Sequence, residues 1–537
     1  MIVRSVSLGG LATEESRAYL ARRGVTDRQL IDQILQAVGG HPLALSLAAD
    51  LVLNTGIRNF SASPERHLLI RSLAEQLLRH VADPELRVLI EASALVEQFD
   101  QPTLEAIVGR STSAASFEQL CRLSVVRPAA HGLQLHDEVR RILADDLRWR
   151  HPEQYGTFRQ RALDYYRERM RSAISGDREW LLAQRLYLWE HGFVQTVLFG
   201  QDDPGEVWVE PGTRGDEPEA LGIEMIWHTQ VLPSLGWTHY ELDPEHDPQA
   251  HAADIAHLLA LPGRRLRIAR DHDRQALGFS LAASVCVPTA DYLANHRIYG
   301  PLLRAYFDRF GWGTLPPTPQ SSRISYFLQA THSGIRPEAV NAALWRELFG
   351  LFVDEGVVLI TLAGPEHKEL FSALGFEPMA VEIPSVWGME LRTEGYMLDL
   401  QRIGLEAWIE AIMAGRRPPR ALAPDELEHA VQEALVHWRD DAWLASSELA
   451  QSTAVAHIAT PHHGGESVRA AIRHALEQTM MDAPPDLALA LRAIDSAYLA
   501  RTTSHERAAE ELAVSRTTFY RLLRRGVQAL AQALQKA

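Results

Sequence analysis

The chain has 537 residues, 46% hydrophobic and 23% charged, with a formal net charge of -16. That length exceeds a single core and predicts several domains. Its most apolar run, Gly278–Val287, falls short of the ~20 residues of a membrane-spanning helix and is stopped by Pro288. An acidic chain repels nucleic acid as a whole, so any DNA contact must come from a locally basic surface.

In chain order, Glu14–Leu20 reads as a helix ending near Gly24. Thr26 or Asp27 can cap a second helix carrying Leu30, Ile31, Ile34, Leu35 and Val38 at helical spacing. Gly39-Gly-His-Pro42 is a break, and Pro42 opens a third helix at a position where no amide hydrogen is needed. Helices over Leu86–Leu95, Thr103–Val108 and Phe117–Leu123 precede two short strands in Ser124–Leu135 around a turn at His131-Gly132, and a helix from Asp137 follows. Three helices and a hairpin form the winged-helix pattern. Tyr155–Met170 is amphipathic.

From about residue 205 to 400 the pattern changes. Asp202–Glu206 and Pro211–Pro218 are loop-rich, and strands are predicted at Leu266–Ala269, Gly278–Val287, Arg323–Ala330, Val357–Leu362 and Met379–Ile383. Helices at Pro337–Val353 and Glu366–Leu374 lie between them, and the alternation argues for a mixed α/β domain. Arg416–Arg420 is a linker, helices return at Pro424–Val436 and Val468–Met481, and Pro484-Pro485 separates them from a terminal module.

That module carries the clearest functional signal. Leu487–Ala500 has one apolar helical face, Thr503 and Glu506 are spaced as a capping box before Arg507–Leu512, Ala513-Val514 is a tight connection, and Ser515 caps a helix from Arg516. Ala508, Leu512, Val514, Phe519 and Leu522 are predicted to meet in a small core. Arg516, Thr517, Thr518, Tyr520, Arg521 and Arg524 are left outward as candidate DNA contacts, arginine for guanine or phosphate and threonine for thymine methyl or phosphate. From Leu487 onward, Arg492, Arg501, Arg507, Arg516, Arg521, Arg524, Arg525 and Lys536 make eight positive charges; Asp495, Glu506, Glu510 and Glu511 make four negative ones, a local balance of +4. The run Glu506-Arg-Ala-Ala-Glu-Glu-Leu-Ala-Val-Ser-Arg-Thr-Thr-Phe-Tyr-Arg521 resembles the DNA-binding helices of LuxR-type regulators and of region four of sigma factors. The resemblance implies double-stranded DNA as a partner, alongside other regulatory proteins.

Two further resemblances cover other parts. Gly39-Gly-His-Pro-Leu-Ala-Leu45 is similar to the Gly-x-Pro motif of the STAND class of signalling ATPases (the NB-ARC group), and Leu135-His-Asp137 to its Met-His-Asp motif. The resemblance makes Pro42 and His136 candidate nucleotide contacts. No G-x-x-x-x-G-K-[ST] loop occurs, so ATP or ADP is expected only if a segment carrying that loop is supplied. Gln275–Val285, Leu359–Ala363 and Leu370–Pro378 resemble strands and a helix of the GNAT acyltransferase fold. That family holds acetyl-CoA on an [R/Q]-x-x-G-x-[G/A] loop at a helix start. Here the stretch is Ala330-Thr-His-Ser-Gly-Ile-Arg-Pro-Glu338, which keeps only Gly334 and loses an amide at Pro337, so acetyl-CoA is not expected to bind. Glu224, His228, His332 and Tyr396 are the available bases, and none carries a catalytic assignment.

His462-His463 and Asp271-His-Asp273 lack partners at metal-ligand spacing, and no metal site is expected. Cys121 and Cys286 are too isolated for a disulfide framework, and no signal peptide is legible, both in keeping with a cytoplasmic protein without a membrane partner. The expected chain is multidomain, α plus α/β: a helical STAND-like remnant over 1–85, a winged helix over 86–150, a helical connector over 151–200, a GNAT-like mixed α/β centre over 201–400, a helical segment over 420–482 and an all-α helix-turn-helix over 486–537. Its expected function is a DNA-binding transcriptional regulator whose inner domains serve as switch and sensor surfaces without catalysis. The alternatives are a GNAT-type N-acyltransferase targeted to DNA and a protein–protein adaptor.

Overall fold

A computed structural model describes residues 11–38, 40, 42–55, 78, 81, 83–123, 125–200, 207–234, 248–311, 313–363, 365–384, 393–456, 464–500 and 504–536. The chain divides into two compact units, Met1–Glu190 and His191–Ala537. No helix among the described residues is long and apolar enough to cross a membrane.

The first unit opens with α1 (Thr13–Arg22), α2 (Arg28–Val38) and α3 (Pro42–Thr55). Asp27, one of the two expected caps, accepts a hydrogen bond from the Leu30 amide at 3.2 Å. Leu20, Leu30, Ile31, Ile34, Leu45 and Ala48 are buried. Next come α4 (Pro84–Ser93), α5 (Gln101–Val108) and α6 (Ala114–Cys121), then the hairpin β1 (Val126–Ala129) and β2 (Gly132–Leu135). Asp100 and Ser113 cap α5 and α6 through the Thr103 and Ser116 amides. The hairpin pairs Val126 with Leu135 and Ala129 with Gly132, leaving a two-residue turn. Gly132 sits at φ +127, and a Cβ there would lie 2.5 Å from the Phe99 carbonyl oxygen. Only glycine lets the Phe99 segment add its paired bonds to Leu133 at 2.7 and 2.8 Å. Helices α7 (Asp137–Arg150), α8 (Pro152–Ser172) and α9 (Ser175–Tyr187) complete the unit.

The second unit begins with α10 (Gly192–Phe199) and is built on one seven-stranded sheet. Its elements are β3 (Trp208–Pro211), α11 (Glu217–Ile226), α12 (Pro248–Ala260), β4 (Arg264–Arg270), β5 (Ala276–Ser284), α13 (Val287–Asn295), α14 (Gly300–Phe310), β6 (Ile324–His332), α15 (Pro337–Arg346), α16 (Leu348–Phe352), β7 (Val357–Ala363), α17 (Pro365–Ala373), β8 (Glu377–Ile383), β9 (Thr393–Asp399) and α18 (Leu405–Met413). Strand order is β3-β4-β5-β6-β7-β9-β8, and every neighbouring pair is antiparallel except β6 with β7. The mixed α/β centre expected from the sequence is present.

Period-two alternation distributes the strands' side chains between the faces. Leu266, Ile268, Phe279, Leu281, Tyr326 and Leu359 pack with Ala220, Ile255 and Leu259 on one face. Ala269 and Leu277 pack with Val340, Ala343 and Leu344 of α15 on the other. Gly278 makes that second contact possible, because a Cβ there would meet Val340 Cγ1 at 2.5 Å and the Thr331 carbonyl at 2.8 Å.

Several expectations need correction. Gly278–Val287 is not wholly strand: Val287 opens α13. The helix read over Pro337–Val353 breaks at Glu347. Strands β3 and β9 were not foreseen.

The C-terminal helices are α19 (Pro424–Val436), α20 (Asp441–Ser446), α21 (Gly465–Met481), α22 (Pro485–Ile494), α23 (His505–Glu511) and α24 (Arg516–Lys536). A five-residue π-helical turn, Asp495–Leu499, extends α22. Pro484-Pro485 does not separate two modules: one hydrophobic core runs through both sides of it. That core joins Leu427, Val431 and Leu435 of α19 and Val468 and Ile472 of α21 to Leu491, Phe519, Leu523, Leu530 and Leu534. The reason is the length of the apolar stripe on α24. It continues through Val527, Leu530 and Leu534, beyond what the short α23 can cover, and α19, α21 and α22 cover the rest.

Candidate functional site

Helices α23 and α24 enclose a tight turn in which Ala513 takes a left-handed φ of +54. The Val514 amide closes it on the Ala509 carbonyl at 3.0 Å. The cap of α23 is Ser504, which accepts from the Arg507 amide at 3.3 Å. The Thr503–Glu506 box was expected there, and Thr503 lies outside the described residues. Ser515 caps α24 as expected, accepting from the Thr518 amide at 3.2 Å. Ala508, Phe519 and Leu522 are buried, with Leu512 and Val514 packed against them.

This inward anchoring decides what faces out. Arg516, Thr517, Tyr520, Arg521 and Arg524 are exposed along one side of α24, joined by Arg525. Thr518 departs from that set. It is half-buried, and its hydroxyl is hydrogen-bonded to Ser515 Oγ at 2.9 Å, so it stabilises the cap. Arg516 lies 3.6 Å from Glu506 with both side chains about three-quarters exposed, a geometry worth little in water. Its guanidinium also stands 5.9 Å from the Tyr520 ring. Among the described residues, Arg521 and Arg524 form no ion pair. The first turn of α24 has no acidic residue. Unpaired amides, the positive end of the helix dipole and exposed guanidinium groups therefore coincide, an arrangement that attracts phosphate.

In the sheet, the structure brings together two of the four bases read from sequence. Glu224 on α11 and His228 in the π-helical turn Trp227–Val231 are both buried, with Oε1 and Nε2 2.8 Å apart. Gln329 of β6 donates to the other Glu224 oxygen, and its amide also reaches Thr331 Oγ1 at 2.5 Å. No sequence signal pointed to Gln329, which lies 105 residues from Glu224. His332 sits nearby against Trp227, with ring centroids 4.7 Å apart. Burial pushes its pKa down from 6.5 to about 4, and its Nδ1 accepts from the Gly334 amide at 3.0 Å. It is a neutral structural acceptor. Tyr396 belongs elsewhere: its hydroxyl donates to Glu394 at 2.7 Å, and Glu394 also holds Lys368 at 2.6 Å.

The β6–β7 ladder runs only from Ile324 to Phe327, so β6 continues beyond its pairing with β7. The register with β5 skips Leu328, a bulge that redirects the strand at that point. The loop into α15 places Gly334 at φ +83 and Arg336 at φ +48. Pro337 and Glu338 occupy the first turn of α15, removing one donor and adding a negative charge. This start is poorly suited to a pyrophosphate.

In the first unit, Pro42 is exposed at the first position of α3, and His136 is half-buried at the N-cap position of α7 without a capping bond from its side chain. Gly39 and His41 lie outside the described residues, as do His462 and His463. Asp271, His272 and Asp273 bring ligand atoms within 4.8 Å of one another on a surface turn between β4 and β5. Asp271 there accepts the Asp273 and Gln275 amides at 3.0 and 2.9 Å, which is turn chemistry.

No protein-family model matches the chain, and no curated protein matches it. Among solved structures, a histone acetyltransferase HPA2 and related acetyltransferase from Corynebacterium glutamicum is 17% identical, over 36% of this chain and 95% of that one, with a TM-score of 0.23. A GCN5-related N-acetyltransferase from Kribbella flavida is 16% identical over 37% of this chain and 99% of its own, also with a TM-score of 0.23. A malonyl-CoA decarboxylase from Rhodopseudomonas palustris covers 76% of this chain and 92% of its own at 14% identity and a TM-score of 0.21. Likeness this distant assigns no activity.

Proposed function

We propose that the protein is a DNA-binding regulator that docks α24 in the major groove of double-stranded DNA. The observation that carries this reading is the outward row Arg516, Thr517, Tyr520, Arg521 and Arg524, held in register by the buried Phe519 and Leu522. In this reading Arg516 and Thr517, at the helix start, meet base edges, and Arg521 and Arg524, further along, meet phosphates. The first unit, with Pro42 and His136, acts in this reading as a switch surface, and ATP or ADP enters only with a supplied P-loop. The GNAT-like sheet acts as a sensor, and other regulatory proteins join as partners.

The test is fluorescence anisotropy of the full chain with a randomised duplex pool across a salt series. Salt-dependent binding weakened by Arg521→Ala and Arg524→Ala supports the reading. No binding at low salt, with an intact helical circular dichroism spectrum, overturns it.

One observation favours a second reading, an N-acyltransferase of GNAT type. Glu224 and His228 form a buried carboxylate–imidazole pair beside the strand that outruns its parallel partner. Burying such a pair carries a desolvation cost, and groups buried with a charge partner cluster at functional sites. Against it stand Pro337 and Glu338 at the start of α15. Calorimetry with acetyl-CoA separates the readings: a low-micromolar dissociation constant supports the second.

A further inference from the structure

Helices α21 and α22 line an open groove of about 720 Å³. Its floor is apolar, made by Leu476 and Met480 from α21 and by Leu491 and Leu499 from α22 and its π-helical extension. The volume falls within the range of small-molecule sites, and the paired methionines Met480 and Met481 supply a deformable, polarisable wall. Both helices that line the groove share the core of α24.

The charges around the rim are unequal once their partners are counted. Arg473 is already held by Glu466 at 2.9 Å and stacks over Trp438 at 5.4 Å. Among the described residues, no ion pair or hydrogen bond engages the side chains of Arg492, Glu477 or Asp495. Two carboxylates therefore face the groove against one uncommitted cation, so its open valence is for positive charge. We propose that this groove binds an amphipathic organic cation, an ammonium or phosphonium carried on an apolar or aromatic body. The body lies on the leucine and methionine floor, and the charge sits between Glu477 and Asp495. Occupancy wedges α21 from α22 and so bears on α24; this coupling, unlike the binding itself, rests on the DNA reading.

The test uses two probes of nearly identical shape and opposite charge, tetraphenylphosphonium and tetraphenylborate, titrated calorimetrically into the full chain without DNA. The expected result is one-to-one binding of the cation with at least tenfold preference over the anion. Glu477→Gln with Asp495→Asn should weaken the cation tenfold or more at unchanged circular dichroism, and Met480→Trp should abolish binding by filling the floor. Absence of cation binding, equal binding of both probes, or cation binding indifferent to Glu477→Gln with Asp495→Asn would overturn the proposal. Because no DNA is present, this outcome is independent of whether α24 binds DNA.

Discussion

Two helix starts in the second unit each follow a left-handed residue yet carry opposite charge. Arg336 before α15 and Ala513 before α24 both take left-handed conformations, at φ +48 and +54. Arg336 is itself the N-cap residue of α15, whereas Ala513 ends α23, its turn closed by the Val514 amide on the Ala509 carbonyl. At α15 the presented turn carries Pro337 and Glu338, and no side chain caps it. At α24 Ser515 caps the helix, and the first turn holds Arg516 and no acid. Backbone shape alone therefore does not make an anion site; the donors and charges in the first turn decide it.

The sharpest way to break the comparison is to remove what holds α24 in place. Phe519 is fully buried, and Phe519→Ala should cost roughly 3–5 kcal/mol. Chemical denaturation followed by helical signal should show the C-terminal helices melting early, because α19, α21, α22 and α24 share one core. DNA binding should fall with it.

The loop before α15 yields a pH prediction. His332 has its folded pKa lowered from 6.5 to about 4 by burial. A group with a depressed folded pKa contributes stability above its unfolded pKa and loses it as pH falls, here between about 6.5 and 4. Denaturation midpoints at pH 7.5 and pH 4.5 should differ less in His332→Asn than in the wild type. An unchanged difference would mean His332 does not carry the effect.

Effects at the outward residues of α24, the proposed DNA face, should be smaller and separable. Thr517→Ala should cost about 1–3 kcal/mol at a preferred sequence and little elsewhere if it reads a base. Arg521→Ala or Arg524→Ala should weaken all duplexes alike and reduce the log–log salt slope by about one unit. Anisotropy on preferred and scrambled duplexes distinguishes these patterns. Thr518→Val should act through the cap, by about 1 kcal/mol of stability, rather than through DNA.

The smallest effect belongs to α15. Glu338→Gln removes the charge opposing an anion at its first turn, worth about 0.3–1 kcal/mol. Acetyl-CoA binding should stay too weak for calorimetry in the wild type and rise only marginally in this variant.

Much of this arrangement was legible because it is local. The cap at Ser515, the apolar positions Ala508, Leu512, Val514, Phe519 and Leu522, and the outward arginines all follow from helical spacing over about twenty residues. The strands β4, β6, β7 and β8 were found because their apolar runs are flanked by turn residues. Strand β3 is four residues long and ends in Pro211, an edge feature with almost no periodic signal. Strand β9 runs through Gly395 straight into Leu400, so no break marks its end. Thr503 and Ser504 are both hydroxyl residues, and spacing alone does not separate them; the described cap of α23 is Ser504. The Glu224–Gln329 bond and the core shared across Pro484 join residues brought together only by tertiary packing.

That shared core also sets the right fragment for the decisive test. A piece starting at Pro485 would strip the cover that α19 and α21 give the apolar stripe of α24, so the comparison should use residues 420–537 against the full chain. The measurement is anisotropy with one duplex pool over a salt series. The account predicts that both bind at low salt, the fragment more tightly because most of the chain's net charge of -16 is removed, and that Arg521→Ala with Arg524→Ala weakens both in parallel. Binding by neither, or binding insensitive to salt and to those two arginines while the helical fold is intact, would contradict the claim that α24 is a DNA-reading helix.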